Sequence, residues 1–101
     1  MKGKDNVIET DVVMFGYKCK ARNSFNSFLR GMQWKFTFEN GWGASVINDG
    51  YGKEEGLYEL AVVGKKGGLH YKNKVANGDV RGYLKPNEVK KLLKQIEGFK
   101  K

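Results

Sequence analysis

The chain has 101 residues, 40% of them hydrophobic and 13% aromatic, and a formal net charge of +8. That length supports one domain, residues 1–101, with a modest core and no second independent unit, and that composition is globular and not that of a disordered tail. No apolar run approaches the ~20 residues of a membrane span, and the start MKGKDNVIETD lacks the apolar middle of a secretory signal, so the cytosol is the expected compartment. The single cysteine, Cys19, cannot form an internal disulfide or a cysteine-based metal knuckle and reads as a small buried hydrophobe on a strand.

The charge is uneven. Residues 1–37 carry seven Lys/Arg against three acids, residues 38–60 one against five, and residues 61–101 eleven against three. The molecule should therefore have poles. A basic pole suits nucleic-acid phosphates or an acidic protein surface, whereas an acidic patch beside it argues against uniform wrapping by a polyanion. Sixteen lysines to three arginines lean toward simple solubility, because the planar arginine fork is the better phosphate ligand.

In chain order, VVMFGYKCK reads as one strand with Val13, Phe15, Tyr17 and Cys19 on one side and Val12 and Met14 on the other. ARNSFNSFLRG is polar and interrupted, and Phe25, Phe28 and Leu29 suit a short helical turn. QWKFTFE alternates strictly, with Trp34, Phe36 and Phe38 facing one way and Gln33, Lys35, Thr37 and Glu39 the other. Asn40-Gly41 can supply a tight hairpin turn, so ASVI should return antiparallel. Trp42, at the hairpin tip, is expected to be partly exposed and dispensable for folding. NDGYGKEEG reads as a solvated loop; it lacks the alternating oxygen ligands and final glutamate of a helix-loop-helix calcium site, and GYG lacks the Lys-Ser/Thr of a phosphate loop. LYELAVV is nearly continuous in apolarity, as a central strand is, and Glu59 within it is expected to pair with a lysine across the sheet. GKKGG turns the chain back, LHYKN is a further strand, and VANGDVRGYL brings a turn at Asn77-Gly78 and a last extended piece, Val80 to Leu84.

The carboxyl end predicts a helix. Pro86 suits the first helical position, Glu88 lies near the positive helix start, and Val89, Leu92, Leu93 and Ile96 repeat at i, i+3, i+4 and i+7. Leu84 can staple onto Val89, and Gly98 is placed to end the helix. Lys90, Lys91 and Lys94 form a solvated outer face. The fold class is thus α+β, an antiparallel sheet of about four to six strands packed by a C-terminal α-helix. Residues 1–31 form an N-terminal extension with a strand, and residues 32–98 the sheet and helix.

Nothing in the pattern points to catalysis. Nucleophilic chemistry needs an orienting third group and an oxyanion site beside Cys19 or His70, and no strand-turn-helix nucleophile elbow is present. The acids cluster in a loop and do not form a pair in opposed environments. His70, between Leu69 and Tyr71, reads as a sheet-surface histidine. No cofactor and no metal are expected.

FENGWGASVI, GLYELAVV and GDVRGYL followed by EVKKLL together resemble a group of small, mostly uncharacterised proteins encoded by bacteriophages and prophages. The resemblance spans roughly residues 32–97 and carries kinship without chemistry. The group is commonly acidic and often has Cys-Tyr where His70 and Tyr71 stand, and residues 1–31 have no counterpart in it, so the basic surface and the extension are particular to this chain. The acids Glu39, Asp49, Glu54, Glu55 and Glu59 would belong to the shared face.

The resemblance implies a small non-enzymatic accessory protein that binds and modulates a host protein, ribonucleoprotein or defence complex in the host cytoplasm, an anti-CRISPR role being one member of that class. The alternative, from the residues themselves, is a nucleic-acid binder in which Lys65, Lys66, Lys72, Lys74 and Arg81 on and beside a 64–74 hairpin engage the backbone while Trp42, Tyr51, His70 or Tyr71 stack on bases. These nine residues are the candidate binding set.

Overall fold

The computed structural model describes residues 9–23 and 31–101. Six antiparallel strands follow one another across a single sheet: β1 (Thr10–Met14), β2 (Tyr17–Asn23), β3 (Met32–Thr37), β4 (Gly43–Ile47), β5 (Tyr58–Val63) and β6 (Arg81–Leu84). One helix, α1 (Pro86–Glu97), packs against β4 and β5. The α+β expectation holds. The suggested helical turn around Phe25, Phe28 and Leu29 lies outside the described residues.

The register explains which side chains enter the core. Trp34 and Phe36 of β3 oppose Val46 and Ala44 of β4, which in turn oppose Leu60 and Val62 of β5. All six are buried under α1 together with Val89, Leu92, Leu93 and Ile96. The helical stripe read from the sequence is the stripe that faces the sheet. At its start the Glu88 carboxylate accepts the Lys85 N–H at 2.8 Å, which satisfies one of the donors a helix start leaves over.

The first hairpin corrects the single-strand reading of VVMFGYKCK. Phe15 and Gly16 both adopt left-handed backbone, φ 55° and 85°, which is the two-residue turn geometry that matches the twist of an antiparallel pair. The chain reverses there, so Val12 and Met14 share the inner side with Tyr17, Cys19 and Ala21, while Val13 points outward beside Lys18 and is exposed. Strict alternation across a turn assigned the wrong side. The hairpin tip curls over the core: Phe15 meets Tyr58 edge-on at 5.2 Å and Trp34 at 6.2 Å, and the Tyr17 hydroxyl donates to Glu97 of α1 at 3.0 Å.

Gly43 is required by close approach. A Cβ there would collide with the Phe36 carbonyl of the neighbouring strand. Gly43→Ala is therefore expected to cost about 1–3 kcal/mol, the usual range for overpacking a fitted site, visible as a lower midpoint in urea with an unchanged slope; a stability equal to wild type would show that β3 and β4 can part there without loss.

Two further expectations are corrected. LHYKN is not a strand: past the Gly64–Gly68 turn only Leu69 bridges Val63, and the chain then leaves the sheet. The reason is Asn73, whose side-chain carbonyl accepts the Val75 and Ala76 N–H groups at 3.0 and 2.7 Å. That local turn competes with a ladder, and it drives Val75 and Ala76 into the core at 1% and 3% exposure. Glu59, for its part, has Ile47 as its β4 partner and accepts the Tyr51 N–H at 3.0 Å, so its carboxylate is held by a loop amide and not by a cross-strand lysine.

Candidate functional site

Of the nine candidate residues, Trp42, His70, Lys72 and Lys74 line one groove, Lys65, Lys66, Tyr71 and Arg81 lie on or beside the same 64–80 loop without lining it, and Tyr51 stands apart. Trp42 sits just past the β3–β4 turn, where Phe38 N–H donates to the Trp42 carbonyl and Gly41 takes φ 89°. Its ring meets His70 edge-on at 4.8 Å and Phe99 at 5.0 Å, and its indole N–H donates to the Lys100 carbonyl at 3.2 Å. Trp42 is thus half-buried, a joint between the β3–β4 turn, the 64–80 loop and the chain after α1. Together with Lys72, Asn73, Lys74, Phe99 and Lys100 it lines a groove of about 540 Å³. Three rings, those of Trp42, His70 and Phe99, and three lysines line it.

The turn beneath is pinned by Asn40, which is buried. Its amide nitrogen donates to the carbonyls of Ile96, Glu97 and Phe99 at 2.9–3.0 Å, and its carbonyl accepts the Trp42 N–H at 2.9 Å. The end of α1 leaves carbonyls without helical partners, and a side chain from a different hairpin satisfies them. One residue therefore ties the Trp42 side of the groove to its Phe99 side.

The 64–80 loop is equally determined. Asn73 Nδ2 lies 3.0 Å from His70 Nδ1 and donates to the His70 carbonyl at 3.0 Å. Because Asn73 Oδ1 is occupied by two backbone amides, its nitrogen must face the ring, so Nδ1 accepts and His70 carries its proton on Nε2. Gly78 N–H donates to the Tyr71 carbonyl at 2.8 Å, with Asn77 and Gly78 at φ 52° and 96° forming the expected turn. Arg81 Nη1 donates to the Val75 carbonyl at 2.8 Å. That places Arg81 as a brace beneath the loop.

Lys65 lies beside Gly41, and Lys66 is exposed on the same turn. Leu69 and Tyr71, on the other hand, project outward at 53% and 40% exposure. Tyr51 is the outlier. It lies against Gly82 on β6, with its carbonyl accepting the Tyr83 N–H at 3.2 Å, and it does not line the groove.

Phe99, Lys100 and Asn73 line the groove and are absent from the set read from the sequence. Asn73 had a signal, since an Asn two and three residues before Val-Ala is the pattern of a side-chain turn. Phe99 follows the helix-ending Gly98 and had none. Cys19 is buried on β2, and burial pushes its thiol up from the ordinary value, a hydrogen bond at Met14 partly opposing this. Among the described residues no group of three or more His, Cys, Asp or Glu side chains could hold a metal ion, and no helix is long and apolar enough to cross a membrane.

The outer side of the sheet, away from α1, is polar over β2 and β3. Lys18 and Lys20 of β2 and Lys35 of β3 stand there with Gln33, which accepts from Arg22 Nε at 2.7 Å and donates to the Ser45 hydroxyl at 2.7 Å. Lys20 and Lys35 are direct cross-strand partners, an unfavourable placement of like charge. Asp11 meets Lys20 at 2.8 Å and Glu9 lies 3.8 Å from Lys35. The hydrogen bond and charge of Lys20 hold the Asp11 carboxyl below its ordinary value, and Asp11 correspondingly raises Lys20. Compared with known proteins, the chain matches no family model, no curated protein and no solved structure.

Proposed function

We propose that this chain is a non-enzymatic accessory protein of the bacteriophage type, which binds an acidic surface of a host protein, ribonucleoprotein or defence complex in the host cytoplasm and occludes it. The observation that carries the reading is the 64–74 segment. It presents two exposed apolar side chains, Leu69 and Tyr71, among Lys65, Lys66, Lys72 and Lys74, while Val75, Ala76, Asn73 and Arg81 fix the backbone behind them. Aromatic and aliphatic anchors within a charged rim are the usual anatomy of a protein interface. A segment already held in place loses little freedom on binding. The lysines would accelerate encounter with an acidic partner, and the anchors would set the dissociation rate.

The test is affinity capture from host lysate after nuclease treatment, with wild type and with Leu69→Ser/Tyr71→Ser side by side. Both side chains are exposed, so the variant is expected to melt within a few degrees of wild type, its stability change being about 0.5 kcal/mol. A partner retained by wild type through nuclease and lost by the variant is the expected result. Equal retention by the two proteins would remove Leu69 and Tyr71 as the anchors and sink the reading.

A further inference from the structure

Three concavities that share lining residues flank the end of the β3–β4 hairpin. The first, about 790 Å³, lies on the outer side of the sheet and is lined by Lys18, Lys20, Lys35 and Thr37. It shares Lys18 and Thr37 with a second of about 490 Å³, which passes the hairpin tip to Lys101 and Phe99. Phe99 is shared in turn with the groove that holds Trp42, His70, Lys72, Lys74 and Lys100. Seven lysines line this path, against three carboxylates, Asp11, Glu39 and Glu97.

The geometry points to this path as a binding track for single-stranded nucleic acid. Lys18, Lys72, Lys74, Lys100 and Lys101 make no ion pair among the described residues, so their charge is available to phosphates. Lys20 is paired to Asp11, but both side chains are well exposed, 58% and 85%, and such a pair is weak enough for a phosphate to compete. Lys20 and Lys35 are neighbours across the strands, and a phosphate between them would compete with the Asp11 and Glu9 carboxylates that now meet them. At the far end Trp42, His70 and Phe99 offer ring surface for bases, which stack on aromatic side chains irrespective of sequence.

Curvature selects the strand type. The path begins on the sheet side opposite α1 and ends beside the end of α1, so its occupant must bend around a molecule only 39 × 30 × 25 Å in extent. A duplex is stiff over a persistence length of about 150 base pairs and cannot follow it. A single strand can. Leu69 and Tyr71 lie outside all three concavities, so the track shares Lys72 and Lys74 with the protein-binding reading but not its two anchors.

Fluorescence anisotropy with labelled oligothymidylate tests this, comparing strands of roughly 4 and 16 nucleotides, the span of site sizes for small single-strand binders, with a duplex of the longer length. The longer single strand should bind tightest, and five to seven neutralised phosphates give a log–log salt slope of about −3.5 to −5. Lys18→Ala/Lys35→Ala and Lys72→Ala/Lys74→Ala each remove exposed side chains at opposite ends of the track. Each pair should reduce the slope by about 1.4 while leaving the melting temperature near wild type. Absence of binding at low salt, equal or tighter binding of the duplex, no gain with strand length, or an effect from only one of the two pairs would each overturn the track.

Discussion

Replacing Asn40 by alanine is expected to destabilise the domain by about 2–4 kcal/mol, which for a chain of this size is a fall in melting temperature of roughly 10–20 °C. The two amide hydrogens are divided among three carbonyls of the end of α1 and its continuation, one hydrogen being shared, and the side-chain carbonyl accepts the Trp42 N–H. Of these the bond to Ile96 is fully buried, so its carbonyl has no water to turn to and loses the most; an orphaned buried acceptor costs about 1–3 kcal/mol. The bonds at Glu97 and Phe99 are part-buried and add less, because solvent can replace them. Asn40→Asp should be worse at neutral pH: a carboxylate would face three carbonyl oxygens and the negative end of the helix dipole. The protonated carboxyl would be favoured in the folded state, which raises its folded pKa above the unfolded value of about 3.9. Its deficit relative to wild type should then shrink as pH falls toward about 4. Urea titrations at the two pH values check this, and a loss under about 0.5 kcal/mol for Asn40→Ala would show the cap to be dispensable.

Local periodicity is a good guide where one residue's environment is set by its near neighbours, and this chain shows where that stops. The α1 stripe, the β3 alternation and the apolar β5 were legible because burial on one side of a regular element leaves a period of 3.6 or 2 in the sequence. The β1–β2 turn was not, because Phe15 at φ 55° is a bulky residue in a conformation usually left to Gly or Asn. Only Gly16 marked the reversal, and its neighbours looked like continuous strand. Asn40 looked like half of a hairpin turn, yet it takes no left-handed φ. Its role is set by a helix end 56 residues further on, and no window around ENGWG contains that information. The candidate set was likewise partly legible. Lys72, Lys74 and His70 of the 64–74 segment could be picked by composition, but their meeting with Trp42, Phe99 and Lys100 depends on the local Asn73 turn and also on the Asn40 cap, which is a tertiary fact.

Deleting residues 1–31 is expected to leave a chain without a cooperative unfolding transition. The sequence resemblance begins near Met32, which would suggest a self-sufficient remainder. The structure gives the extension two strands and a share of the core. Cys19 and Ala21 are buried, and Val12, Met14, Phe15 and Tyr17 pack against the buried cluster. Fully burying a large apolar side chain contributes about 1.5–3 kcal/mol. Granting the four half-buried ones half of that, together with the two small buried residues, the loss reaches roughly 5–8 kcal/mol, which is comparable with the whole stability of a small domain at about 5–15 kcal/mol. Trp34 and Phe36 would also lose the Phe15 ring that covers them. β3 would become a bare edge carrying that apolar side, a template for pairing between chains. Light scattering should accordingly detect association where the full chain stays dispersed. The point variant Phe15→Ala keeps both strands and removes only the ring that meets Trp34, Phe36 and Tyr58. It should cost about 2–3 kcal/mol, below the 3–5 typical of a fully buried phenylalanine, and retain a cooperative transition. A truncated chain melting within a few degrees of the full protein would show that the first hairpin merely lies on a complete domain, and the core as described here would then be wrong at its β2 side.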